Sequence, residues 1–170
     1  WKGRFLETLT GFDESQETLD GILSVGRIAD AKLPDGGEGP GLVEALPERG
    51  LEPGSVRYLK GLLGLNNIYP FYTARGLTFK EAVCGLYEGG ARLILLDYGT
   101  ADARSAAWLD LYAFLKGSER FERPQGSRTD AALFRDGKGR YVAFGPSGPR
   151  LVIGLASTAD AAFGIVARAR

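Results

Sequence analysis

The clearest pattern in the chain is a pair of apolar stretches that each run into a short turn rich in glycine or proline. The first, residues 82–91, leads into Glu88-Gly89-Gly90, whose glycines tolerate positive φ angles. The second, residues 140–149, leads into Pro146-Ser147-Gly148-Pro149, where proline fixes φ and removes hydrogen-bond donors. Each pattern predicts a β-hairpin.

The segment that comes after each hairpin is repeated in sequence. Residues 92–103 (RLILLDYGTADA) align with residues 150–161 (RLVIGLASTADA), and six of the twelve positions are identical. Thr100 and Thr158 are placed to cap the amides of a helical first turn, and Ser157 with Asp160 offers a capping box as an alternative in the second copy. A helix is therefore predicted after each hairpin.

The second hairpin has an additional strand before it. A turn at residues 136–139 separates apolar residues 131–135 from the hairpin, which predicts a three-stranded meander. Together these patterns predict an α+β fold, with an antiparallel sheet made from repeated β-hairpin-then-helix units and with the helices packed on one face.

The remaining segments complete a predicted single domain over residues 1–170. Residues 1–33 resemble a partial strand-helix unit, with Asp13 as the expected N-cap and apolar residues at helical spacing. Residues 34–72 are an expected connector, because glycines interrupt any long helix there. The hairpin-helix unit then spans residues 79–116, and the meander-helix unit spans residues 129–170.

Composition narrows the function classes. Hydrophobic residues make up 44% of the chain and charged residues 25%, as in ordinary folded domains. Lys plus Arg and Asp plus Glu both number 21, so we expect no nucleic-acid partner. The apolar runs fall far short of the ~20 residues of a membrane span. One cysteine and no histidine exclude an intrachain disulfide and a Cys/His zinc site, and without a phosphate-loop motif we expect no cofactor.

The absence of histidine also removes the Ser-His and Cys-His nucleophile pairs. Asp97, which ends a predicted strand, and the neighbouring Tyr98 are the first acidic candidate, because the matching residues in the other copy are Leu155 and Ala156. The alternative is that Asp97 only leads into the next helix. Cys84 alternates with apolar residues on a predicted strand, so a buried and inert thiol is expected.

A second candidate site lies in the connector. Amides and aromatic rings occur together there and would suit a groove for a peptide or glycan, the residues being Asn66, Asn67, Tyr69, Phe71 and Tyr72. The alternative is that these aromatic side chains belong to the core. A concave pocket holding a carboxylate with a raised pKa would favour an enzyme, whereas an exposed apolar patch would favour an interaction surface.

Part of the connector is similar to an uncharacterised family of bacterial domains. The resemblance rests on Leu46-Pro47, Gly50-Leu51, the run Pro53-Gly54-Ser55-Val56-Arg57-Tyr58-Leu59 and the adjoining Gly61-Leu62-Leu63-Gly64-Leu65-Asn66. It extends through the predicted hairpins over most of the chain. The resemblance implies a periplasmic or otherwise exported protein, and it supplies no catalytic residues.

The sequence supports two functional hypotheses. The first is a non-catalytic binding or accessory module with a protein partner, such as a subunit of a larger bacterial assembly. The second is an enzyme that uses carboxylate and tyrosine chemistry around Asp97, Tyr98 and the connector segment from Asn66 to Tyr72.

Overall fold

The structure, a computed structural model, describes residues 8–34, 39–71, 77–124 and 131–170. The described residues form four helices and seven strands, which are α1 (Gln16–Lys32), β1 (Arg57–Leu59), α2 (Gly61–Ile68), β2 (Glu81–Tyr87), β3 (Ala91–Asp97), α3 (Ala101–Gly117), β4 (Phe121–Glu122), β5 (Ala132–Asp136), β6 (Tyr141–Ser147), β7 (Arg150–Ala156) and α4 (Ala159–Arg168). They group into two compact units, Trp1–Gly41 and Leu42–Arg170. The boundary falls inside the predicted connector.

The first unit is built around α1. The prediction that Asp13 is the N-cap is wrong, because the Ser15 side chain accepts the cap hydrogen bond from the Thr18 amide at 3.2 Å. Asp13 instead accepts hydrogen bonds from the amide and hydroxyl of Ser15, and so holds the cap residue itself. No residue of α1 is buried, and Leu19 and Leu23 of its predicted apolar side are each 49% exposed. The predicted strand residues before Asp13 lie outside the described residues.

The second unit contains a seven-stranded antiparallel sheet in the order β1-β2-β3-β7-β6-β5-β4. The hairpins β2–β3 and β6–β7, and the meander β5–β6–β7, confirm the predicted strands and turns. Thr100 and Thr158 accept hydrogen bonds from the amides of Ala103 and Ala161, so both predicted caps are confirmed. The α+β class and the antiparallel sheet are therefore as expected.

The prediction that the helices share one face of the sheet is wrong. Helix α3 packs on one face through Ala107, Leu111 and Leu115, while α4 packs on the other through Phe163 and Val166. Alternate residues of the central strands contribute to each core, so that Ile94 lies beneath α3 and Leu95 lies on the face of α4. The uninterrupted apolar run in β3 is typical of a strand buried on both faces.

The two hairpin-helix segments consequently differ in handedness. In the sheet, β3 and β7 are antiparallel neighbours, with β2 and β6 on their outer sides. Each hairpin can be viewed from the side of its own helix with its second strand pointing up. In this view the first strand lies to one side of the second strand in the β2–β3 hairpin and to the other side in the β6–β7 hairpin. The order of elements is repeated, but no rotation superimposes one whole segment on the other.

The connector is more regular than its sequence suggests. It contains strand β1, which pairs with β2, and helix α2, which begins at Gly61. Gly61 has a φ of 76°, a conformation that glycine adopts without a steric penalty, and it turns the chain from β1 directly into α2. The glycine that was expected to interrupt a helix therefore starts one.

A close approach also explains a glycine in β7. A Cβ atom at Gly154 would lie 2.5 Å from the carbonyl oxygen of Ala162 and 2.7 Å from a methyl carbon of Ile165. Because no Cβ atom separates them, α4 packs directly on the backbone of β7.

The two ends of the sheet carry different residues. Strand β3 begins at Ala91, next to Arg92, and ends at Asp97, while its antiparallel neighbour β7 begins at Arg150 and ends at Ala156. We call the end with Arg92 the arginine end and the opposite end the Asp97 end. Each of the two strands has 7 residues, which separates the two ends by about 20 Å.

Candidate functional site

The structure does not bring the two predicted sites together. Tyr69 lies at the arginine end, since its hydroxyl donates a hydrogen bond of 2.9 Å to Asp136 in the turn after β5. Asp97 and Tyr98 lie at the opposite end. The predicted alternative site, which combined these residues with the connector, therefore does not form a single cluster.

The aromatic residues of the connector belong to the core rather than to an open groove. Tyr69 is 1% exposed and Phe71 is fully buried, with their ring centroids 4.9 Å apart. Asn66 is half-buried and Asn67 is exposed, both on α2. Tyr72 lies outside the described residues. Of the alternatives that the sequence left open, the core interpretation fits Tyr69 and Phe71.

Asp97 and Tyr98 point away from each other. Tyr98 is 7% exposed and belongs to the core beneath α3, whereas Asp97 alternates with Leu95 and so faces the α4 side. Burial raises the pKa of Tyr98, and its hydroxyl has no hydrogen-bond partner among the described residues. The pair therefore cannot act on one substrate atom from a shared pocket.

Cys84 is buried as predicted, with 2% of its surface exposed. Burial raises the pKa of its thiol to about 11, an effect that the positive charge of Arg92 partly opposes. The thiolate is the reactive form of cysteine, so this group is unreactive near neutral pH.

The most organised polar group in the second unit is the carboxylate of Asp136, which the sequence identified only as part of a turn. It accepts hydrogen bonds from the Tyr69 hydroxyl, from the amides of Lys138 and Arg140, and from Nε of Arg140, all at 2.9–3.0 Å. Burial alone would raise the pKa of this carboxyl, but the hydrogen bonds outweigh burial and lower it. Asp136 is thus a fixed anion that organises its neighbours.

This network holds the side chain of Arg140 in position. Its Nε bonds to Asp136 at 3.0 Å, and its guanidinium carbon lies 4.8 Å from the centroid of the Tyr69 ring. A hydrogen bond in one direction and a cation–π contact in another fix the orientation of the guanidinium plane. The terminal amino groups of Arg140 have no partner among the described residues.

Arg140 and Arg92 line a cavity of about 270 Å³ at the arginine end, on the face covered by α3. Its lining also includes the residues Ile68, Gly90, Leu155, Ala156 and Ser157. We call this cavity the arginine pocket. Leu155 pairs with Arg92 in the neighbouring strand β3 and with Val142 in the neighbouring strand β6. The two arginines therefore lie on either side of the apolar Leu155 side chain, which we call the apolar floor of the pocket.

The arginine pocket adjoins a second cavity of about 150 Å³ around the Asp136 turn, and Arg140 lines both. Together the two cavities are lined by four cationic side chains and one carboxylate, namely Arg92, Arg120, Lys138, Arg140 and Asp136. The whole chain has no net charge, so this end of the sheet carries a local excess of positive charge.

The described residues offer no place for a resident metal ion, since they contain no group of three or more His, Cys, Asp or Glu side chains suited to one. Nor does any described helix have the length and apolar character needed to cross a bilayer.

Comparison with known proteins identifies no relative. No family model matches the chain, and neither the curated proteins nor the solved structures include a significant match. The bacterial family and the export that the resemblance implied stay predictions.

Sequence reasoning missed the arginine pocket because its parts are far apart in the chain. Ile68, Arg92, Arg140 and Leu155 meet only through strand register. One feature of the sequence could have indicated part of this pocket. The five residues Asp136-Gly137-Lys138-Gly139-Arg140 combine a carboxylate with two cations across a tight turn, a spacing that allows the aspartate to accept from the backbone and side chain of the arginine.

Proposed function

We propose that this chain is a non-catalytic binding module, an accessory part of a larger protein assembly, and that its partner protein contacts the arginine end of the sheet. The observation that carries the proposal is the arginine pocket, in which two guanidinium groups flank an apolar floor. Arginine next to apolar surface is typical of the energetically important part of protein interfaces.

The composition of the pocket favours binding over catalysis. Among the described residues that line it there is no carboxylate, cysteine, lysine or tyrosine, and the hydroxyl of Ser157 has no base beside it. General acid–base catalysis requires a group that exchanges protons near the working pH. Arginine does not do so, because it stays protonated.

The carboxylate beside the arginine pocket also favours binding over catalysis, because an enzyme was expected to hold a carboxylate with a raised pKa in a cavity. Asp136 lines the adjoining cavity, and its pKa is lowered. It is already engaged by Tyr69 and Arg140. These features suit a residue that positions its neighbours and argue against a general acid.

The test is affinity isolation of the full-length protein from its native cells, with mild amine-reactive cross-linking and mass spectrometry. Two exposed lysines form a matched pair, because Lys138 lies at the arginine end and Lys80 lies at the Asp97 end. We expect a stoichiometric partner whose cross-links concentrate at Lys138. A monofunctional amine reagent, which should label both lysines in the free protein, is the control for intrinsic reactivity.

Two outcomes contradict the proposal. Cross-links that concentrate at Lys80 would place the partner at the wrong end of the sheet. Isolation without any stoichiometric partner, together with turnover of a substrate by the purified chain, would support an enzyme instead.

A further inference from the structure

The terminal nitrogens of the two pocket arginines retain hydrogen-bonding capacity. Arg92 makes one long contact, in which Nη1 lies 3.4 Å from the carbonyl oxygen of Ile68. Arg140 uses Nε for Asp136 and keeps its terminal amino groups without a partner among the described residues. A guanidinium has five N–H donors in a planar fork, so both side chains can still donate to an added group.

The charge of the site attracts an anion. Arg92 and Arg140 contribute two positive charges to the pocket, and the adjoining cavity adds Arg120 and Lys138 against the one carboxylate of Asp136. Arginine recognises carboxylates through paired, nearly parallel N–H···O bonds.

The shape of the cavity specifies what is attached to that charge. Ile68 and Leu155 form apolar surface between and beside the two arginines. The volume of about 270 Å³ is at or below the lower end of the range that small-molecule sites occupy. The pocket therefore fits a short apolar group that ends in a carboxylate, rather than a nucleotide or another large cofactor.

From these three observations we infer that the arginine pocket binds a carboxylate carried on a short apolar group. Arg92 is one donor, and Arg140, held in position by Asp136 and Tyr69, is the other. That this carboxylate comes from an acidic side chain or the chain terminus of a partner protein rests on the proposed function above. The carboxylate specificity of the pocket does not.

The experiment is a titration of the full chain, monitored by the backbone amide NMR signals of Arg92, Leu155 and Ser157. The probe is 4-methylpentanoate, and 4-methylpentanamide is its uncharged match. We expect saturable shifts at the pocket signals with the carboxylate and about tenfold weaker binding of the amide, as for loss of one charged hydrogen bond. Equal binding of the two probes would overturn the inference.

Variants at Arg92 test the donor. Arg92→Gln should weaken 4-methylpentanoate binding about tenfold. Arg92→Lys keeps the charge but loses the planar fork, so its affinity should lie between those of Arg92→Gln and the unmodified chain. Arg49→Gln is the matched control, because Arg49 is exposed and lies outside the pocket. Carboxylate binding that Arg92→Gln leaves unchanged would overturn the assignment.

Inorganic phosphate distinguishes a carboxylate site from a general oxyanion site. We expect phosphate to bind more weakly than 4-methylpentanoate, because it leaves the apolar floor uncovered. Tighter binding of phosphate would overturn the carboxylate assignment. None of these titrations requires a partner protein, so the two proposals can be contradicted separately. A partner can be isolated although the pocket does not bind the carboxylate probe, and the pocket can bind the probe although no partner is isolated.

Discussion

Each end of the sheet holds a carboxylate, a buried tyrosine and an arginine, but only the arginine end joins them. There, Asp136 is bonded to both Tyr69 and Arg140. At the Asp97 end, Asp97 pairs in register with Arg150, yet no hydrogen bond joins their side chains among the described residues. The Tyr98 hydroxyl and Nε of Arg150 are buried there with no hydrogen-bond partner in the part of the chain that the structure describes.

The difference lies in how the chain connects the polar residues at each end. Arg140 comes after a tight turn that returns the chain over Asp136, and the turn brings two backbone amides to the same carboxylate. Asp97 and Tyr98 are consecutive residues of extended chain, so they project to opposite faces. The side chains of the adjacent residues Asp97 and Tyr98 are therefore kept apart, whereas the turn brings the side chains of Asp136 and Arg140 together.

The largest expected contrast is the loss of stability when each carboxylate is removed. Asp136→Ala leaves Tyr69, Arg140 and two amides without their acceptor, so we expect the free energy of unfolding to fall by about 2–3 kcal/mol. Asp97→Ala removes no such bonds, and we expect a change within about 0.5 kcal/mol. Urea denaturation monitored by circular dichroism measures both. Similar losses for the two variants would show that the Asp136 network adds little.

The contrast between the two ends also shows how much of the molecule was predictable. Hairpins, helix caps and the α+β class come from local patterns, because turn glycines such as Gly89 and cap residues such as Thr158 act within a few positions of themselves. The face on which each helix packs is not local. It depends on whether a strand is buried on one side or both, and the apolar run around Leu95 was evidence for both sides.

The site was less predictable than the fold. Asp97 and the connector aromatics stood out because of their residue types, whereas Arg92 and Arg140 stood out only once strand register placed them on either side of Leu155. Register depends on long-range pairing between β3, β7 and β6, which the spacing of residues in the chain does not determine.

Acid should remove the stabilisation that Asp136 gives to the arginine end. The pKa of Asp136 is lowered in the folded protein, so its contribution to stability is complete above the unfolded value of about 4 and is lost as the pH falls through the folded value. We expect the unmodified chain to lose more stability below about pH 4 than Asp136→Asn. Urea unfolding across this acidic range measures the difference.

Asp13 also has a pKa lowered to about 2 by its hydrogen bonds from Ser15 and Thr18, but it is present in both proteins of that comparison. An acid dependence that Asp136→Asn leaves unchanged would contradict the assignment of a depressed pKa to Asp136.

The smallest contrast concerns the two buried tyrosines, which differ in whether the hydroxyl is bonded. Tyr69→Phe removes the 2.9 Å hydrogen bond to Asp136 while keeping the ring beneath Arg140, and we expect a loss of about 1 kcal/mol in the free energy of unfolding. Tyr98→Phe removes a hydroxyl that is buried without a partner among the described residues, so its removal should be neutral or slightly stabilising. The two variants bury the same ring and lose the same atom, and their difference in urea midpoint therefore reports the hydrogen bond itself. A greater loss for Tyr98→Phe would mean that the Tyr98 hydroxyl has a hydrogen-bond partner after all, and the contrast between the two tyrosines would no longer hold.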